Sequence, residues 1–241
     1  MLCKTRGIAL HSVKYSETSI IVRIYTDQFG LQSYLIKGIR SKRSKIKAGL
    51  FQPMTLLDLV AYRKENTGLQ SIKEVRIAIP YKTIPFDIRK SSIALFLNEL
   101  LFKSIREEEK NQELFDFIWN SCLQLDSITD SPVCFHLVFA MLLTRFLGIM
   151  PQLDHSNDRP IFNLVEGHFQ SVIPKHPHFL DQETSCSFLS ISMTPLQNVS
   201  FLVLAPLVRA KLLTGIITYY QIHLPGFKGM QSHHVLHNVL S

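Results

Sequence analysis

Lys37, Arg40, Lys42, Arg43, Lys45 and Lys47 place six cations within eleven residues, and the chemistry such a run offers is electrostatic capture of a polyanion. Each cation that meets a phosphate releases a condensed counterion, which gives tight, salt-sensitive binding without making or breaking a covalent bond. The setting makes the run informative. Residues 1–80 carry a formal charge of +9, whereas residues 81–241 carry −2. A bias this local points to nucleic acid more than to a solubilising loop. Tyr34 precedes the run and Phe51 follows it. Each ring is therefore placed either to stack on unpaired bases or to fill a core. Arg23 lies on a neighbouring predicted strand and extends the positive surface, as do Arg6 and Arg63. No helix has the character of a major-groove reader, so sequence-specific binding is not expected.

Bond-breaking chemistry has weaker support. The chain contains no glycine-rich phosphate loop and no Gly-x-Ser-x-Gly. Glu107, Glu108 and Glu109 read as a solvated helix end. His234 and His237 share a helical face and His176 and His178 flank a proline, but neither pair has a third ligand at a familiar spacing. A metal-dependent nuclease or hydrolase built on His233, His234 and His237 is thus a rival reading without a catalytic constellation. Cys3, Cys122, Cys134 and Cys186 form no Cys-x-x-Cys pair, which argues against a zinc ribbon or a disulfide scaffold and for four buried, reduced thiols. No catalytic residue, metal or cofactor is expected. Neither a signal peptide nor a span for a membrane is evident, and Phe201 to Val208 is too short an apolar run to cross one. The expected location is cytoplasmic.

The elements that must position the cations are predicted strands. Ile8–Val13, Thr18–Thr26, Leu31–Lys37, Met54–Arg63 and Leu69–Ala78 read as five strands, with turns at Asp27–Gly30 and Glu65–Gly68. The basic run falls in the loop from Gly38 to Gly49. Five short strands in about 80 residues match a Greek-key barrel of the OB type, with an SH3-like barrel as the competitor. After Pro80 the period becomes helical. Ser91 is expected to cap one helix, Asn111 to open a second and Ser131-Pro132 to start an apolar third from Val133 to Leu147. Residues 151–184 break the pattern with a hairpin turning at Glu166-Gly167. Thr194-Pro195 starts another helix, Pro206–His223 a long one, and Ser232 caps the last. The predicted class is α+β with two domains: an OB-fold nucleic-acid-binding domain at 1–79, and a helical bundle at 80–241 carrying a small β-hairpin insertion near 151–184.

Gly7-Ile8-Ala9-Leu10, Tyr15 to Val22, Lys37-Gly38-Ile39-Arg40-Ser41, Leu50-Phe51-Gln52-Pro53, Gly148 to Leu153 and Ser232-His233-His234-Val235-Leu236 resemble, in order, segments of the RecO family of recombination mediators. The resemblance implies an N-terminal OB fold, a central helical bundle and, in many members, a zinc-binding segment. It also implies a non-enzymatic role in bacterial DNA repair. Such proteins bind and anneal single-stranded DNA, partner RecR, help RecA displace single-strand-binding protein and engage that protein's acidic C-terminal tail. On this view Lys37, Arg40, Lys42, Arg43, Lys45 and Lys47, with Arg23 and Tyr34, contact DNA. Arg145, Arg209 and Lys211 are the candidates for holding the tail. The zinc-bearing members carry two Cys-x-x-Cys pairs where this chain reads Asp154 to Phe169, so a metal-free hairpin held by Phe162, Leu164 and Phe169 is expected. His233 and His234 stand where basic residues are common in the family. An RNA-binding OB protein of the translation machinery is the other rival.

Overall fold

The computed structural model describes residues 1–39, 46–64, 68–154 and 160–240. These pack as two compact units: residues 1–83 with 105–126, and residues 84–104 with 127–241.

The first unit is a closed five-stranded barrel. Its strands are β1 (Leu2–Lys14), β2 (Ile20–Thr26), β3 (Gly30–Ile36), β4 (Leu56–Tyr62) and β5 (Gln70–Ile77), joined around the barrel in the order β1-β2-β3-β5-β4. Four of the pairings are antiparallel, while β3 and β5 close the barrel in parallel through Tyr34–Gln70 and Leu35–Ser71. This is the OB-type topology. β1 is longer than the sequence suggests because it serves two partners, β4 through Leu2–Ile8 and β2 through Gly7–Lys14, and it bends between Ala9 and His11. Alternate residues point inward, so Val22, Ile24, Tyr34, Ile36, Leu57 and Leu59 fill the interior. Burying such side chains stabilises the barrel by roughly 2 kcal/mol each.

A helix also belongs to this unit. α2 (Gln112–Ser127) is opened by Asn111, whose side-chain oxygen accepts from the Leu114 N–H at 3.0 Å. Phe115 stacks on Trp119 at 5.5 Å and lies 6.2 Å from Tyr25 of β2. The Arg6 guanidinium of β1 sits over both α2 rings, 5.1 and 5.2 Å from their centroids, and reaches Asp27 and Asp116. The segment before α2 lies flat on the barrel, where the Leu31 N–H donates to the Glu107 carbonyl at 3.0 Å. Gly30 makes that approach possible: its φ is +61°, and a Cβ there would collide with the Glu109 carbonyl oxygen. The change from strand to helix at residue 80 is therefore not the packing boundary, because α2 joins the barrel across the intervening helix.

The second unit contains α1 (Ile88–Ser104), α3 (Phe135–Phe146), α4 (Gln182–Met193), α5 (Pro206–His223), α6 (Ser232–Leu240) and a small sheet of β6 (Ile161–Asn163), β7 (His168–Gln170) and β8 (Phe179–Leu180), ordered β7-β6-β8. α3 is its central helix, with Phe135, Leu137, Val138, Phe139 and Ala140 fully buried. The Tyr220 hydroxyl donates to the Ala140 carbonyl at 2.6 Å, which satisfies a buried polar group. Three helix starts differ from expectation. Asp87, not Ser91, holds the start of α1, accepting from the Arg89 N–H at 2.8 Å. α3 begins at Phe135, two residues after the predicted start, because residues 133–134 form a turn. Thr194-Pro195 leads into a short 3-10 helix at Leu196–Phe201. The hairpin turns through Gly167, with Phe162 stacked 4.3 Å from Phe188 and edge-on to Phe169 at 4.9 Å.

Candidate nucleic-acid interface

The basic loop leaves the barrel at Lys37. Gly38 takes φ +67°, turning the chain so that the Ile39 N–H donates to the Thr18 carbonyl of the β1–β2 loop at 2.8 Å. Ile39 then enters the barrel core, only 4% exposed. On the return side Ile46 and Leu50 pack against the same core, and Phe51 is buried within it. Lys37 and Lys47 flank these anchors and are both exposed. The sequence thus alternates cations for solvent with a few apolar residues for the barrel. Two charged feet are fixed on a rigid rim. Arg40, Lys42, Arg43 and Lys45 lie outside the described residues.

Arg23 projects from the outer face of β2, since Val22 and Ile24 on either side of it point inward. It stands opposite Ser33 of β3 and opposite His11 of β1. Burial, aided by the neighbouring Arg23 charge, lowers the His11 pKa. The expectation that Tyr34 offers its ring to bases is not met. Tyr34 is 2% exposed and faces the barrel interior with Ile36, and burial raises its hydroxyl pKa. Phe51 is also core, at 3% exposure. The parity of β3 decides this: Ser33 and Leu35 take the outer face, which sends Tyr34 inward.

The tail-binding candidates do not converge. Arg145 is exposed in the last turn of α3. Arg209 on α5 is committed to structure, donating to the Leu204 carbonyl at 2.9 Å and the Leu240 carbonyl at 2.6 Å. Lys211 pairs with Asp181 at 2.7 Å, and the ion pair and the Thr184 N–H hold the Asp181 carboxyl down at about 2. Of the three, Lys211 alone lines a cavity of about 450 Å³, which it shares with His178, His233, His234 and His237. His233 and His234 lie against each other, 3.9 Å between rings, and burial and that neighbour lower the His233 pKa. Among the described residues no group of three or more His, Cys, Asp or Glu side chains is placed to hold a metal ion. Nor do the residues fit a thiolate zinc site: no cysteine lies between 135 and 185, and aromatic packing occupies the hairpin. The cysteines also depart from expectation, since only Cys122 and Cys134 are buried, while Cys3 is half-buried and Cys186 exposed. No helix among the described residues is long and apolar enough to cross a membrane.

A groove that the sequence pattern does not single out as a site lies at the start of β1. It is lined by Lys4, Arg63 and Lys64 together with Cys3, Gln28 and Phe29. The Arg63 guanidinium carbon sits 4.4 Å from the Phe29 ring centroid. These residues are far apart in the sequence, and only barrel closure assembles them.

Comparison with known proteins agrees with the topology. Residues 1–81 match the family described as "Recombination protein O N terminal", and residues 85–231 match "Recombination protein O C terminal". The chain is 40% identical over 237 residues to the DNA repair protein RecO of Bacteroides fragilis, covering 98% of each. It is 36% identical over 241 residues to that of Phocaeicola vulgatus, and 36% identical over 244 residues to that of Flavobacterium psychrophilum, covering each chain completely.

Proposed function

The chain belongs to the RecO family of DNA repair proteins, and on that premise we propose that it is a non-enzymatic recombination mediator. In this reading it binds and anneals single-stranded DNA and, with RecR, helps RecA load onto DNA coated by single-strand-binding protein. The observation that carries it is the pinned basic loop. Exposed Lys37 and Lys47 frame it, and Ile39 and Phe51 root it in the barrel. Two complementary strands repel through their phosphates. A cationic surface that neutralises both lowers the barrier to their meeting, and base pairing then supplies the driving force. No group in the chain has to take or give a proton. Exposed lysines such as Lys37 and Lys47 on a folded barrel suffice, and such a surface does not read sequence.

For the acidic tail of single-strand-binding protein, the proposed seat is the Lys211 cavity of the second unit. Its mixture of Leu164, Leu180 and Leu213 with the histidines and with Lys211, whose Asp181 partner the peptide's carboxylate would displace, suits a peptide ending in an aromatic residue and a carboxylate. RecR and RecA are partners by the same premise, and the proposed location is the bacterial cytoplasm.

Fluorescence anisotropy with a labelled oligo(dT) strand across a salt series tests the reading. We expect binding whose logarithm falls steeply and linearly with the logarithm of salt concentration. An equal-length RNA strand that bound more tightly would favour an RNA-binding role, because that preference requires contacts to the 2′-hydroxyl. Cleavage of either strand that chelator abolished would instead favour the hydrolase.

A further inference from the structure

We propose that the groove between the start of β1, the β2–β3 turn and the β4–β5 loop is a base-stacking subsite for single-stranded DNA. The Arg63 guanidinium, backed by the Phe29 ring, forms the stacking platform, and Lys4 and Lys64 clamp the flanking phosphates. The proposal rests on the single-strand-binding reading above and adds to it a position where bases, not phosphates, are recognised.

Four observations converge on it. The groove encloses about 640 Å³, room for one or two nucleotide units. Its charge is one-sided: Lys4, Arg63 and Lys64 line it, and among the described residues no carboxylate does. A second groove on the same barrel shows the contrast. There Asp27, Asp58 and Glu74 share the lining with the cations, and Arg6 pairs with Asp27 at 3.2 Å and Arg76 with Asp58 at 2.9 Å. The cation-π contact between Arg63 and Phe29 supplies the third argument. The guanidinium carbon lies over the ring, 4.4 Å from its centroid, so the ring restrains the guanidinium, whose plane is a surface on which a base can stack. A base inside a duplex has both faces covered by its neighbours and cannot use that surface, whereas an unstacked base can.

The fourth observation is the path. The base of the β4–β5 loop is clipped shut by two hydrogen bonds, from the Lys64 N–H to the Gln70 side-chain oxygen at 2.9 Å and from the Gln70 side-chain nitrogen to the Lys64 carbonyl at 3.0 Å. Gln70 pairs with Tyr34 across the β3–β5 closure, and Tyr34 lies three residues before Lys37. At about 3.3 Å per residue Tyr34 lies roughly 10 Å along β3 from the foot of the basic loop, so the Lys64 end of the groove is one strand over and is the end nearer the loop. One strand can lie in the groove and continue onto the loop. The loop then supplies salt-sensitive affinity, and the groove supplies selectivity for unpaired bases.

The test compares two labelled strands of equal length and charge, oligo(dT) and a strand of abasic deoxyribose phosphates. The proteins are the wild type, Arg63→Lys and Lys4→Gln, used as full chains. The wild type is expected to bind oligo(dT) roughly tenfold more tightly than the abasic strand, in line with loss of base stacking. Arg63→Lys keeps the charge and lacks the plane, so it should lose that preference while its salt slope stays unchanged. Lys4→Gln should keep the preference and lower the slope by about 0.7. Arg63 and Lys4 are both exposed, so neither variant threatens the fold. Equal wild-type affinity for the two strands, or a preference that survives Arg63→Lys, overturns the stacking subsite while leaving single-strand binding intact. Failure of the wild type to bind either strand at low salt overturns both. Effective competition by thymidine 5′-monophosphate would show that the groove takes free nucleotide, and would overturn its assignment to a DNA strand.

Discussion

His136 makes the stability of the helical unit depend on pH in a way that can be worked through. It lies on α3 at 3% exposure, edge-on to Phe96 at 5.6 Å, and its Nδ1 has no hydrogen-bond partner among the described residues. Burial, with a smaller contribution from the Arg209 charge, pushes its pKa down from 6.5 to about 3. The folded state therefore holds the imidazole neutral, whereas the unfolded chain protonates it below 6.5. His136 costs nothing at pH 7. As pH falls from 6.5 toward 3, the unfolded state gains about 1.4 kcal/mol per pH unit. At pH 5 the expected loss is about 2 kcal/mol, a sizeable share of a domain's stability. Urea unfolding followed by far-UV circular dichroism at both pH values measures it. The control is His136→Phe, which preserves an edge-on ring and removes the titration. His11 and His233, which are also lowered, titrate equally in both proteins and cancel. The wild type should lose about 2 kcal/mol more than His136→Phe between pH 7 and pH 5. Equal losses would refute the argument that His136 is buried and neutral.

Other outcomes follow from the barrel unit. Gly30→Ala needs an L-residue at φ +61° and places a Cβ against the Glu109 carbonyl and 2.9 Å from that of Glu107. It should destabilise the unit by about 3 kcal/mol, seen as a lower urea midpoint in the emission of Trp119, the only tryptophan. Arg6→Met removes a guanidinium whose side chain is 41% exposed. Asp27 keeps hydrogen bonds from the Thr5 hydroxyl and the Arg6 N–H, so the cost should be only about 1 kcal/mol, with a shift in Trp119 emission. Replacing Lys37 and Lys47 together with Gln should reduce the salt slope of single-strand binding by about 1.4, since each phosphate left without its cation lowers it by about 0.7. An unchanged slope would remove both lysines from the interface.

Alternation and turn chemistry made the five strands legible, and β2 to β5 lie within two residues of their predicted limits. The pairing of β1 with two partners was not, because a strand's length depends on what lies beside it. Pro206–His223 was read directly from its proline signal, and the last helix begins at Ser232, although the Ser232 hydroxyl donates to Glu99 of α1 instead of capping its own helix. α2 was recognised as a helix, but its place with the barrel depends on Arg6, Tyr25, Gly30 and Leu31 meeting it and the segment before it from far away in the chain, which no local period encodes. At the candidate interface, charge density exposed the loop at once. Tyr34 misled because an aromatic ring beside a basic run looks the same in sequence whether it faces inward or outward, and the parity of β3 settles that. Phe29 and Arg63 escaped notice as a pair since one sits in a turn and the other at a strand end.

The central claim is that the cationic barrel brings complementary strands together without bond chemistry. The most direct measurement is the annealing of two labelled complementary oligonucleotides, one coated with the cognate single-strand-binding protein, at low and moderate salt, with and without chelator. The account predicts acceleration that weakens as salt rises and is indifferent to chelator. Tight single-strand binding with no acceleration of annealing would contradict it.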